Sequence, residues 1–170
     1  LPNGGSLMPV LAVAADGRVL AAFEDFDRNN GQRVMVANRY VPGSGWSGPA
    51  VLMAQSFNDI MSLGNAAIAG NHAAVVYQAV PVAGAGGRNM VSRWSATNGW
   101  SAAEELPVGP VGNVVPGVDR QVAVAADGRT SVVWSQQGFV GGSLVRDVYF
   151  AEALPGAAFG VFERISPERS

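Results

Sequence analysis

Apolar residues in this chain come in short runs rich in valine, alanine and aromatic side chains, each cut by glycine, proline, asparagine or aspartate. That rhythm predicts strands and tight turns, and no stretch carries a helical period over about eleven residues. The runs also recur. The segments AVAADGRVLAAFED, AIAGNHAAVVYQ and AVAADGRTSVVWSQ superpose without gaps, which aligns Phe23, Tyr77 and Trp134. Further along, GSGWSGPAVL, ATNGWSAAEEL and GAAFGVFERI superpose again and align Trp46, Trp100 and Phe159. The chain therefore reads as three copies of one unit of about 55 residues, a supersecondary element that must stack on its neighbours to bury its faces.

Within the first unit the pattern predicts strands at Val10–Ala14, Val19–Phe23, Val34–Tyr40 and about Trp46–Met53, with a tight turn at Asp16-Gly17. The second unit predicts Ala66–Ala69, Ala73–Gln78, Met90–Ser95 and Trp100–Leu106, turning at Gly70-Asn71. The third predicts Gln121–Ala125, Ser131–Trp134, Asp147–Ala151 and Phe159–Ile165, turning at Asp127-Gly128. Each unit is then a four-stranded antiparallel meander. Val122 and Val124 alternate with Ala123 and Ala125, so both faces are apolar, as in a sheet covered on both sides. Stacked four-stranded sheets make an all-β protein of β-propeller blades, with boundaries expected at 8–56, 61–110 and 114–166. Phe23, Tyr77 and Trp134 are expected to be buried.

The unit, in VAADGR followed by VVW and in VANRYVPGSGWSGPAVL, resembles the blade repeat of secreted bacterial β-propeller proteins related to sialidase-like (BNR-like) propellers. The resemblance runs from about Met8 to Ile165 and implies fold and an extracellular or periplasmic setting more than a ligand. The sialidase Asp-box, Ser-x-Asp-x-Gly-x-x-Trp, is not met. Two other three-fold architectures remain as alternatives. A β-trefoil would carry Gln-x-Trp near the end of each unit, and a β-prism lectin would carry Gln-x-Asp-x-Asn-x-Val-x-Tyr; the chain has neither.

Composition narrows the function classes. Of 170 residues, 48% are apolar and only 14% charged, well below the usual quarter or so, so much of the surface is expected to face other protein. Propellers close with about four to eight blades. Three leave two apolar flanks, which implies self-association through those flanks or a protein partner. Either two chains combine into one six-bladed ring, or this chain is a segment of a larger propeller or assembly. A net charge of −2 with scattered arginines argues against nucleic acid. No apolar run reaches the ~18 residues of a membrane helix, and the opening LPNGG reads as a processed or trimmed start. Without cysteine and with one histidine, thiol–metal sites and repeated Ser-His-Asp catalysis are excluded.

Four groups could carry chemistry. His72 replaces Arg18 and Arg129 of the other units and is expected to be a solvated turn residue. The adjacent carboxylates Glu24/Asp25 and Glu104/Glu105 lie on strands, so each pair points to opposite faces and does not flank a glycosidic bond. Asp25, Asp27 and Asn29 have the alternation of a calcium loop, but Asn30 and Val36 stand where its glycine and glutamate belong, which favours a polar hairpin tip. Arg39, Tyr40 and Trp46 repeat as Arg93, Trp94 and Trp100. These are either blade-to-blade packing anchors or the platform of a glycan site between blades. No catalytic residue and no cofactor is expected. The reading is a non-enzymatic structural or protein-interaction module, with a repeat lectin as its alternative.

Overall fold

The computed structural model describes residues 7–27, 29–56, 60–80, 87–109 and 115–167. Among them there is no helix; fourteen strands form three antiparallel sheets. Sheet 1 contains β1 (Leu7–Val13), β2 (Val19–Asp27), β3 (Gln32–Val41), β4 (Gly45–Trp46) and β5 (Ala50–Ser56). Sheet 2 contains β6 (Ile60–Ala69), β7 (His72–Val80), β8 (Arg88–Ser95), β9 (Gly99–Trp100) and β10 (Glu104–Glu105). Sheet 3 contains β11 (Val115–Val124), β12 (Thr130–Val140), β13 (Ser143–Ala153) and β14 (Phe162–Arg164). Each is a meander in chain order, so the four-stranded unit of the sequence pattern is present three times.

The fourth strand is split in the first two sheets. β4 and β5 both pair with β3, and β9 and β10 both pair with β8. In sheet 1 the break falls at Gly48 (φ 92°) and Pro49; a backbone of that kind leaves the ladder, and proline brings no donor to resume it. In sheet 3 the fourth strand is shorter than expected, and Phe159 lies before it. The second strands, by contrast, run past their expected ends to Asp27, Val80 and Val140. The hairpin turns fall at Asp16-Gly17, Gly70-Asn71 and Asp127-Gly128, where Gly17, Gly70 and Gly128 have positive φ. The amides of Gly17 and Gly128 donate to Ala14 and Ala125 carbonyls at 3.0 and 2.9 Å.

The sheets stack in sequence order through two separate cores. Leu20, Ala22, Met35 and Ala37 of sheet 1 meet Leu63, Ala73, Val75 and Tyr77 of sheet 2. Ala74, Val76 and Val91, on the opposite face of sheet 2, meet Val122, Val132, Trp134 and Tyr149 of sheet 3. Among the described residues only the middle sheet is covered on both faces, which is why β7 is buried from Ala73 through Ala79. Two cores in series, not one shared core, set this arrangement apart from a closed three-sided prism.

Repeat equivalence explains burial. Tyr77 and Trp134 are fully buried because each points back at the preceding sheet. Phe23 occupies the same register but faces the outer side of sheet 1, where no described sheet lies, and it is only half-buried. The expectation that all three are buried therefore holds for two.

Candidate functional site

The repeated arginine–aromatic groups do not converge on one surface. Instead each reaches from its own sheet to the next. The Arg39 guanidinium stacks over the Trp94 ring at 3.1 Å from its centroid. Burial, reinforced by the neighbouring Arg18 cation, pulls the Arg39 pKa down. Arg93, at the same register of sheet 2, lies 5.0 Å from the Phe159 ring centroid. It is also fixed by Glu104 Oε2 at 3.0 Å and the Leu154 carbonyl at 3.2 Å. The Phe159 amide donates to Glu104 Oε1 at 2.6 Å, so the Arg93–Glu104 pair clamps the loop that precedes β14.

The aromatic partners divide by position. Trp94 and Trp100, directly paired across β8 and β9, pack against the core between sheets 1 and 2. Tyr40 and Trp46 pair in the same way on sheet 1, edge to face with centroids 5.6 Å apart. They lie on its open side, and Trp46 is 53% exposed. Trp46 thus departs from the packing-anchor expectation, because no described sheet lies on that side of sheet 1.

One cavity of about 260 Å³ opens at the turn end of sheet 2, beside sheet 3. Its wall includes Trp94, Trp100, Arg93, Asn98, His72 and Thr130. It joins half of the sequence-expected ligand residues, Arg93, Trp94 and Trp100, and leaves Arg39, Tyr40 and Trp46 outside its wall. His72 is the member that sequence reasoning misplaced. It is half-buried, and its ring lies so close to the sheet 3 turn that a Cβ on Gly128 would stand 2.6 Å from Cε1 and Nδ1. The signal was present in the alignment. Arg18, its counterpart in sheet 1, likewise reaches the next turn, with Nη1 donating to the Gly70 carbonyl and to Asn71 Oδ1 at 2.7 Å.

The other candidates are occupied by structural contacts. Asp27 Oδ1 accepts from the Asn29 amide at 2.9 Å and Oδ2 from Asn30 Nδ2 at 2.7 Å, the bonding of a polar hairpin tip. Asp25 Oδ1 accepts from the Phe26 amide at 2.7 Å. Among the described residues, no three His, Cys, Asp or Glu side chains gather as a metal site. Glu24 pairs with Arg33, and Glu105 with Arg88 at 3.7 Å. Between sheets 2 and 3, buried Arg120 donates to Asn89 Oδ1 at 3.3 Å and Ser62 Oγ at 3.5 Å. Gly64 makes room for it, since a Cβ there would stand 2.9 Å from Arg120 Cβ. Desolvation lowers the Arg120 pKa, with Asp119 acting in the opposite direction.

No protein-family model matches the chain, and no curated protein matches it by sequence. By structure it is similar to the α-L-arabinanase of Penicillium chrysogenum solved in complex with arabinobiose, with a TM-score of 0.61 at 13% identity over 92% of this chain and 49% of that one. It is also similar to the polysaccharide lyase Uly1, with a TM-score of 0.58 at 11% identity over 94% of this chain and 40% of that one. The fold is that of β-propeller blades. The chain spans half or less of the length of these two proteins. Neither is a sialidase, so what the likeness carries is the propeller repeat and not the sialidase-like branch of it. The expectation of a non-enzymatic module is overturned by the same finding: both matched propellers are enzymes, an arabinanase and a polysaccharide lyase. Among the described residues, no helix is long and apolar enough to cross a membrane.

Proposed function

We propose that this chain supplies blades of a carbohydrate-active β-propeller enzyme that works on polysaccharide outside the cytoplasm, and that the cavity beside Trp94 and Trp100 receives one sugar residue of the chain. The carrying observation is the cavity itself: indole rings, an amide at Asn98 and a hydroxyl at Thr130 share one wall in a fold shared with two polysaccharide-acting enzymes. Aromatic faces take the C–H side of a sugar ring, and a few polar groups fix its hydroxyls. About 260 Å³ accommodates a single monosaccharide unit. The Arg93 cation is paired with Glu104, an arrangement that suits a neutral sugar better than a uronic acid.

The test is titration of the 170-residue chain with neutral arabino- and gluco-oligosaccharides and with oligouronates, followed by tryptophan fluorescence and calorimetry. Neutral oligosaccharides should bind, and Asn98→Ala, in an exposed turn, should weaken them at least several-fold without changing the fold. Product assays on the same polymers, for new reducing ends and for unsaturated uronate absorbance, separate hydrolysis from elimination. Absence of binding to every oligosaccharide, with the chain folded, would overturn the reading.

A further inference from the structure

The two outer faces of the stack both carry exposed apolar side chains. On the open face of sheet 1, the registers Leu11↔Ala21, Val13↔Val19↔Tyr40↔Trp46 and Phe23↔Val36↔Val51 place these side chains side by side. Leu11 and Val13 are 67% and 69% exposed, and Val51 is exposed as well. On the open face of sheet 3, Val133 and Phe150 face each other across the ladder, with exposed Phe139 and Leu144 further along it. Among the described residues, most of the exposed large apolar side chains thus lie on the two flanks, the faces that meet another sheet elsewhere in the stack.

The polar contacts point the same way. Arg18 of sheet 1 reaches the turn Gly70-Asn71 of sheet 2, and His72 of sheet 2 packs on the turn at Gly128 of sheet 3. The next member of the series is Arg129, which has no following turn to reach among the described residues and instead touches its own Asp127 and Glu152 at 3.5 and 3.7 Å. The sheet 1 turn that is equivalent to Gly70-Asn71 is Asp16-Gly17, and Asp16 is an exposed carboxylate that Arg18 Nε approaches at 3.3 Å. At the register of Arg39 and Arg93, sheet 3 carries Glu152. The corresponding aromatic site on the open face of sheet 1 is Tyr40, a hydroxyl donor where sheet 2 has Trp94. Sheet 3 thus offers a forward cation and a forward carboxylate, and sheet 1 offers a turn carboxylate and a phenol.

We infer that the open face of sheet 3 docks on the open face of sheet 1 of a second copy of this chain, with Arg129 at the partner copy's Asp16 turn and Glu152 at its Tyr40. Two such contacts close a ring of six sheets, and six lies within the range of about four to eight blades at which propellers close, whereas three or more copies of three sheets exceed it. The contact joins different surfaces, so each copy uses both of its flanks once.

Light scattering on purified chain tests this. The wild type should have twice the 17.5 kDa of one chain. Leu11→Asp, which charges the sheet 1 face at an exposed site, and Arg129→Asp, which reverses the forward cation, should each give single chains. Their equimolar mixture should recover two-chain species, because one intact contact remains possible between the two variants. Circular dichroism confirms that each variant is folded, and Leu11→Ser and Arg129→Gln replace any that is not. A single-chain wild type, an Arg129→Asp variant that stays paired, or a mixture that stays unpaired would each overturn the inference.

Discussion

Replacing Trp134 by alanine should cost far more than the same replacement at Phe23, although the two occupy one register of the repeat. Trp134 is fully buried between sheets 2 and 3, with Tyr149 and Phe162 ring centroids at 5.9 and 6.2 Å. A buried indole removes up to ~250 Å² from water, worth ~6 kcal/mol at ~25 cal/mol per Å². A partly collapsed unfolded chain reduces that. Nε1 has no hydrogen-bond partner among the described residues, and an orphaned buried donor takes back another ~1–3 kcal/mol. The net expectation is a loss of about 3–4 kcal/mol, within the usual range for truncating a core aromatic. Phe23, half-exposed, should lose only ~1 kcal/mol. Urea denaturation in the Leu11→Asp background keeps the sheet 1 flank uncovered, so that association does not contribute to the measured stability. Equal losses at the two positions would refute the claim that the neighbouring sheet, and not the repeat register, decides burial.

Two further outcomes follow from single groups. Burial pushes the Tyr77 pKa up to about 12, an effect moderated by its 3.0 Å hydrogen bond with Ser92. A folded pKa above the unfolded value of ~10 gives stability that is complete below pH ~10 and lost as pH rises towards 12, by up to ~2–3 kcal/mol, and Tyr77→Phe should remove that alkaline loss while costing ~1 kcal/mol at neutral pH. Stability profiles that are parallel for wild type and variant between pH 9 and pH 12 would contradict this. Gly128→Ala should destabilise by ~1–3 kcal/mol, because φ is +87° and the new methyl would run into the His72 ring. Adding His72→Ala should recover part of that loss and leave the backbone strain, as read from thermal melts of the single and double variants.

The architecture was legible in the sequence because its signals are local. Ala-Ala-Asp-Gly-Arg marks a tight turn wherever it occurs, and both copies form one. Valine and aromatic runs between such turns became strands, and the aligned aromatics marked one register. What could not be read was the neighbour. Trp46 and Trp100 share a motif, a strand start and a cross-strand aromatic partner, yet one is exposed and the other packs on a core, because sheet 2 has a sheet before it and sheet 1, among the described residues, has none. His72 sits in the same turn context as two arginines, and only the packing of successive turns shows that it reaches forward as Arg18 does. The second strand of the third unit was cut short for a related reason: Gln136 looks like a loop residue but is buried, and its Oε1 accepts from the Gly109 amide at 2.8 Å. The non-enzymatic expectation failed because the repeat specifies the blade scaffold, which is also the scaffold of polysaccharide-acting enzymes.

Because sheet 2 is, among the described residues, the only one sandwiched on both faces, the three sheets should differ in how often they open. In a stack coupled only to nearest neighbours, an outer sheet can detach by breaking one contact, while the middle one must break two. Amide protons of β7 and β8 should therefore exchange with solvent at the rate of whole-molecule unfolding, and those of β2 and β13 by cheaper, partial openings. Pairing of two copies would erase that gradient, since every sheet would then sit between two others. The spread of exchange rates across the three sheets is in this sense a gauge of how far the ring is closed.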